Sequence, residues 1–250
     1  MLSAGYRAVL LAAAVGAPAP ARAAALAAAT AVPPAFATMM TPHAVGRAAG
    51  ALATMPAVGS DAPTAAEAAD AWQERVLAKE RLLAACAAAG MGREAPRRDA
   101  VRPLIEALER LNPTPRPLEA PELLSGNWRL VYTTSDSILG TTRARPFRPQ
   151  AHRILQSIDA ERLAAMNEEW VLGGLLKNQV RAELAPRDDG RTVDVQFKRF
   201  GIGWLRVPAP ASARGVLETT YLDDALRVSR GDKGNLFVLV REGASRIRSS

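Results

Sequence analysis

The apolar positions of the chain change period once, near residue 126. Before that point they recur every three or four residues, the spacing of a helix face. Trp72, Val76, Lys79, Leu83 and Cys86 or Ala87 mark one such face. Thr64 and Glu67 precede it at capping-box spacing, where each side chain satisfies an N–H of the first turn. Nothing breaks the run before Ala89, and Gly90 follows as a helix-ending residue. Val101, Leu104, Ile105, Leu108 and Leu111 predict a second, shorter helix. It stops at Asn112-Pro113, because proline restricts the residue before it and donates no hydrogen bond. A stiff, proline-rich linker covers residues 112–122.

After Gly126 the period falls to two. Trp128, Leu130 and Tyr132 alternate with Arg129, Val131 and Thr133; Val180, Ala182 and Leu184 alternate with Gln179, Arg181 and Glu183. Val193, Val195 and Phe197 form a third such run, and Leu236, Val238 and Val240 a fourth, with Phe237 and Leu239 on its other face. Weaker strands are predicted at 152–159, 165–172, 215–221 and 225–230. Turn residues separate several of them: Asp188-Asp189-Gly190, Pro208 to Pro210, and Gly231 to Gly234. Eight short strands without intervening helices predict a mainly β fold, an antiparallel barrel or sandwich preceded by two α-helices.

Composition adds a third region. Residues 1–60 hold 23 Ala, three Arg (Arg7, Arg22 and Arg47), no Lys and no acid. An acid-free segment of small residues with scattered Arg reads as an organelle-targeting leader of the plastid type. Residues 8–17 are apolar and precede an Ala-Arg-Ala site, which also suits a secretory signal, so a bipartite leader, a mitochondrial or a secreted address competes with the plastid one. The expected organisation is thus a leader over 1–60, a helical segment and linker over 61–116, and a barrel over 117–250. The net charge is +7 overall, but +4 beyond the leader (29 basic against 25 acidic residues), too little to argue for nucleic acid. No run of 18 strongly apolar residues predicts a membrane-spanning helix. Cys86 is the only cysteine and His43 and His152 the only histidines, so no disulfide framework, Cys-based zinc site or other metal site is expected.

Several separated blocks resemble the plastid lipid-associated protein (PAP)/fibrillin family, also called plastoglobulins. They are LIEALERLNPTP at 104–115, LLSGNWRLVYTTSDSIL at 123–139, ILQSIDAERLAAMNE at 154–168, NQVRAELAP at 178–186 and LETTYLDDALRVSRGDKGNLFVLVRE at 217–242. The resemblance runs over about residues 65–242. It implies a lipocalin-like barrel, a plastid location, association with plastoglobules or thylakoids, and binding of apolar molecules rather than a defined reaction. Gly126-Asn127-Trp128 resembles the opening signature of lipocalin-type barrels, whose tryptophan closes one end and packs against an arginine of a late strand. Arg227 or Arg230 supplies that guanidinium, as a ligand floor or as plain barrel closure.

Trp128, Arg227, Trp170, Phe197 and Phe237 are the candidate cavity residues, with ordinary core packing as the competing role. Arg143, Arg145, Arg148 and Arg153, with Phe147 among them, form an acid-free basic loop suited to an anionic lipid surface. Trp204 follows two glycines and is either a membrane-inserting tip or tucked onto the barrel. No catalytic residue and no cofactor are expected: P-loop, HExxH and GxSxG motifs are absent, and Asp188-Asp189 and Asp223-Asp224 read as turn residues. Two functions follow. One is a lipid-binding protein that takes prenylquinones, carotenoids or acyl lipids and attaches peripherally. The other is a coat protein with a side-chain-filled barrel. An enzyme acting on a lipid at the barrel mouth is a third reading, which a carboxylate converging on His152 would strengthen.

Overall fold

The computed structural model describes residues 64–245 and 247. The expected leader, 1–60, lies outside the described residues. Helix α1, Ala65–Ala88, starts at the capping box: Thr64 donates its backbone N–H and its hydroxyl to Glu67, and the Glu67 N–H donates back to Thr64 Oγ1. Gly90, at φ +55°, turns the chain out of it. Helix α2 is Arg98–Arg110, and two short helices follow, α3 Pro121–Leu124 and α4 Asp136–Leu139. No helix among the described residues is long and apolar enough to cross a membrane.

The strands are β1 Gly126–Thr133, β2 Ile154–Asp159, β3 Ala164–Val171, β4 Leu176–Pro186, β5 Thr192–Ile202, β6 Leu205–Pro208, β7 Arg214–Leu222, β8 Leu226–Gly231 and β9 Leu236–Arg241. All pairings are antiparallel. β1 pairs β2 on one side and β9 on the other, and β4 pairs β5, so eight strands close into a barrel. The ninth, β6, was not expected as a strand. It folds back on the far half of β5, while β7 pairs the near half.

Closure sorts the side chains. Residues opposite one another in a ladder share a face. On β9, Leu236, Val238 and Val240 point outward and meet Leu82 and Cys86 of α1 and Val101, Ile105 and Leu108 of α2. Phe237 and Leu239 point inward, toward Trp128, Leu130 and Leu222. The double apolarity of this strand therefore has a simple cause: helices on one side, lumen on the other. The helices lie beside the barrel. Two polar anchors hold them there. Glu109 of α2 takes a bidentate contact from Arg230 at 2.9 and 2.5 Å and accepts from the Thr220 hydroxyl. Lys79 of α1 donates to Asp223 at 2.7 Å.

The expected face of α1 is corrected in two respects. Leu82 rather than Leu83 is buried beside Cys86, and Trp72 is 59% exposed, because the helix meets the barrel only along its later turns. Burial pushes the Cys86 thiol up to about 12, which fits a packing residue.

Candidate functional site

One end of the barrel is closed by its own sequence signature. Trp128 is fully buried, and its indole N–H donates to the Leu124 carbonyl at 3.0 Å, tying β1 to α3. Arg227 lies over its ring at 5.0 Å and Arg241 at 4.3 Å. Of the two expected arginines, the register selects Arg227. It pairs Leu239 and Leu222, both inward, whereas Arg230 points out to Glu109. Arg241 went unpredicted; its place two residues after inward Leu239 is the signal that marks it. It anchors the closing segment through the Ser125 carbonyl at 2.8 Å and the Leu123 carbonyl. Gly126 permits this approach: a Cβ there would sit 2.4 Å from Arg241 Nη1.

Above this floor the lumen has two unlike walls. One carries polar groups on β2 and β3. Gln156 accepts from Arg227 Nη2 and donates to Asn167 at 3.0 Å, and further along Glu169 accepts from Asn178 and from Arg143 at 2.8 Å. The period-two run Ile154, Gln156, Ile158 was the sequence signal for an inward glutamine. The other wall is apolar: Val180, Ala182, Leu184, Val193, Val195, Phe197 and Leu217 follow from the β3–β4, β4–β5 and β5–β7 registers. Leu184, Val195, Phe197, Leu217 and Phe237 are only half-buried although they face inward. Small residues stand among them, Ala165, Ala182 and Gly215, and a Cβ built on Gly215 meets nothing within 4 Å. A recess of about 580 Å³ straddles the β4, β5 and β7 strands, lined by inward Leu184, Val195 and Gly215 and by outward Glu183, Asp194, Gln196 and Arg214.

Phe197 and Phe237 thus lie on the lumen wall. Trp170 does not. It pairs Lys177 on the outer face, between inward Glu169 and Val171, and is stacked by Arg153 at 4.7 Å and Lys177 at 5.7 Å. Gly174, at φ +94°, admits that arginine, since a Cβ would come within 2.5 Å of its Nη1.

The loop between β1 and β2 covers the end of the barrel opposite Trp128. Its arginines divide. Arg145 and Arg148 are exposed and Phe147 is half-buried. Arg143 is drawn in to Glu169 and Arg153 to Trp170, so those two are not free surface charges. Beside the loop two hairpins project. The 145–147 turn packs against the 172–174 turn between β3 and β4. The Gly203 N–H donates to the Lys177 carbonyl at 2.8 Å, joining the β5–β6 turn to the same group. The two turns carry Leu175, 60% exposed, and Trp204, 88% exposed. Leu175 was not singled out in the sequence; two leucines flanking Gly173-Gly174 were its only sign.

His152 is exposed, and among the described residues no carboxylate pairs with it. Asp223 and Asp189 instead cap turns: Asp223 accepts from the N–H groups of Ala225 and Leu226, Asp189 from those of Arg191 and Thr192. Hydrogen bonds, the Thr192 side chain first, pull Asp189 down to about 2. No metal-binding cluster occurs among the described residues.

A family model described as PAP_fibrillin matches residues 77–207 and 204–240, which spans the barrel, all of α2 and the second half of α1. The chain belongs to the PAP/fibrillin family. Curated relatives agree with the PAP/fibrillin assignment. The chain is 38% identical over 140 residues to a probable plastid-lipid-associated protein 5, chloroplastic, of Arabidopsis thaliana, covering 55% of this chain and 56% of that one. It is 27% identical over 199 residues to plastoglobulin-1, chloroplastic, of Pisum sativum (58% and 54%). It is 30% identical over 193 residues to a chromoplast-specific carotenoid-associated protein of Cucumis sativus (57% and 60%). The chain spans a little over half the length of these relatives. No solved structure matches it. The printed names of these relatives place them in chloroplasts or chromoplasts, both plastids.

Proposed function

We propose that this PAP/fibrillin protein binds apolar plastid lipids, prenylquinones, carotenoids or acyl lipids, and attaches peripherally to plastoglobules or thylakoids with its hairpin end against the lipid. It acts by partition and shielding rather than by chemistry. The observation that carries this reading is the pair Leu175 and Trp204, two large apolar side chains left in water at adjacent turns of one barrel end. Exposed apolar groups on adjacent turns are costly in solution and favoured at a lipid interface, where an indole settles at headgroup level. Arg145, Arg148 and Arg206 stand exposed beside them. Each basic residue near an anionic leaflet contributes roughly 1 kcal/mol and each buried apolar side chain about 1.5–3 kcal/mol, enough for reversible attachment. The half-buried apolar wall and the small inward residues favour a lumen that holds a ligand over the coat reading, which requires large residues at those positions.

The test is flotation of the full chain with vesicles containing anionic lipid. Wild type is expected to float and Leu175→Ser/Trp204→Ser to lose most of that binding, with an unchanged Tm because both residues are exposed. Binding that survives the double substitution would remove the tip from the mechanism.

A further inference from the structure

Arg227 is the one large charged side chain among the fully buried residues described. It points into the lumen, its Nη2 is taken by Gln156, and its Nε and Nη1 have no partner among the described residues. Among the described residues no carboxylate forms an ion pair with it. Glu169, the acid on the neighbouring wall, is already engaged by Arg143 and Asn178. Arg241, which shares the Trp128 ring, has the same sign. Burial first, and Arg241 second, push the guanidinium below its ordinary range.

A buried, uncompensated cation is among the costlier features a core can hold. Trp128 offsets part of that cost, since a ring face attracts a desolvated cation. It supplies no hydrogen-bond acceptor to Nε or Nη1. A neutral side chain of similar shape would close the barrel without the penalty. The retained charge therefore fits a ligand that brings the missing anion.

The geometry points to the lumen as a site for a single-chain carboxylate lipid, bound head-down with its carboxylate on Arg227 and its chain along the Val180–Phe197 wall. Gln156 and Asn167 orient the head by holding the guanidinium from the polar wall. This rests on the lumen reading of the proposed function and narrows it: among apolar lipids, the class selected is an acyl chain ending in a free acid. A quinone or carotenoid would fill the apolar wall but leave the charge unanswered.

The experiment titrates the full chain with oleate and with methyl oleate, following tryptophan emission, since Trp128 contacts the guanidinium. Oleate is expected to bind at least tenfold more tightly than its ester, and Arg227→Gln to abolish that preference while retaining the ester. The carboxyl ¹³C resonance of labelled oleate on the wild type supplies a second readout, should the variant fail to fold. It is expected to remain that of a carboxylate at a pH where oleate in control micelles is protonated. Equal affinity for acid and ester, or an ordinary carboxyl titration, would overturn the carboxylate site and leave the apolar-lipid reading standing. Absence of binding by both ligands would overturn both.

Discussion

Asp223 shows how one residue holds two parts of the fold. It caps the β7–β8 turn, accepts the Tyr221 hydroxyl at 2.7 Å and pairs with Lys79 of α1. Burial raises its pKa, but the hydrogen bonds from Lys79, Tyr221 and two backbone N–H groups prevail and hold it below the ordinary carboxylate range. A carboxyl lowered on folding stabilises the protein fully above its unfolded pKa, about 3.9, and loses that contribution as pH falls through the lower folded value. Asp223→Asn is therefore expected to cost about 2–3 kcal/mol at neutral pH. The gap to wild type should narrow in thermal melts below about pH 4. A gap that stays constant to pH 2 would contradict the ionised form as the stabilising one. The turn role of this aspartate was legible in the sequence. Its bond to Lys79 was not, because it joins residues 144 apart and depends on how α1 meets the barrel.

At the scale of elements, α2 is fixed by an apolar stripe, a charged fork at Glu109 and an ion pair from Arg98 to Asp136 at its start. The stripe, Val101, Ile105 and Leu108, stood out in the sequence at helical spacing. The fork did not: Glu109 is one polar residue among several, and only strand register turns Arg230 toward it. Glu109→Ala leaves Arg230 and Thr220 without their acceptor at a partly buried seam, at an expected cost of about 2–3 kcal/mol in denaturant unfolding. Loss of less than about 0.5 kcal/mol would mean that the fork does not contribute to docking the helix. The same register logic explains Trp170. Aromatic content predicts burial, but only the count from Glu169 to Val171 decides between lumen and outer face. β6 escaped the sequence for a related reason. Gly201 and Gly203 read as loop, yet the backbone bends there into a hairpin whose four-residue return strand has only Leu205 and Val207 as an apolar signal.

At the scale of the molecule, the two barrel ends have opposite character. One is sealed by Trp128, two arginines and the 117–124 segment. The other carries an arginine loop and two hairpin turns ending in Leu175 and Trp204. The alternation of the strands foretold an antiparallel barrel or sandwich with two unlike faces, and the family resemblance pointed to the barrel. Which end is sealed followed from the Gly126-Asn127-Trp128 signature, and the exposed tip became visible only once β3–β4 and β5–β6 lay side by side.

The most direct test of a lipid-holding lumen is native mass spectrometry of the full chain after incubation with a plastid lipid extract and re-isolation. One lipid retained per chain, of a single class, is the expected result. A folded chain that comes back lipid-free while still floating with vesicles would contradict the filled lumen and make the protein a surface coat.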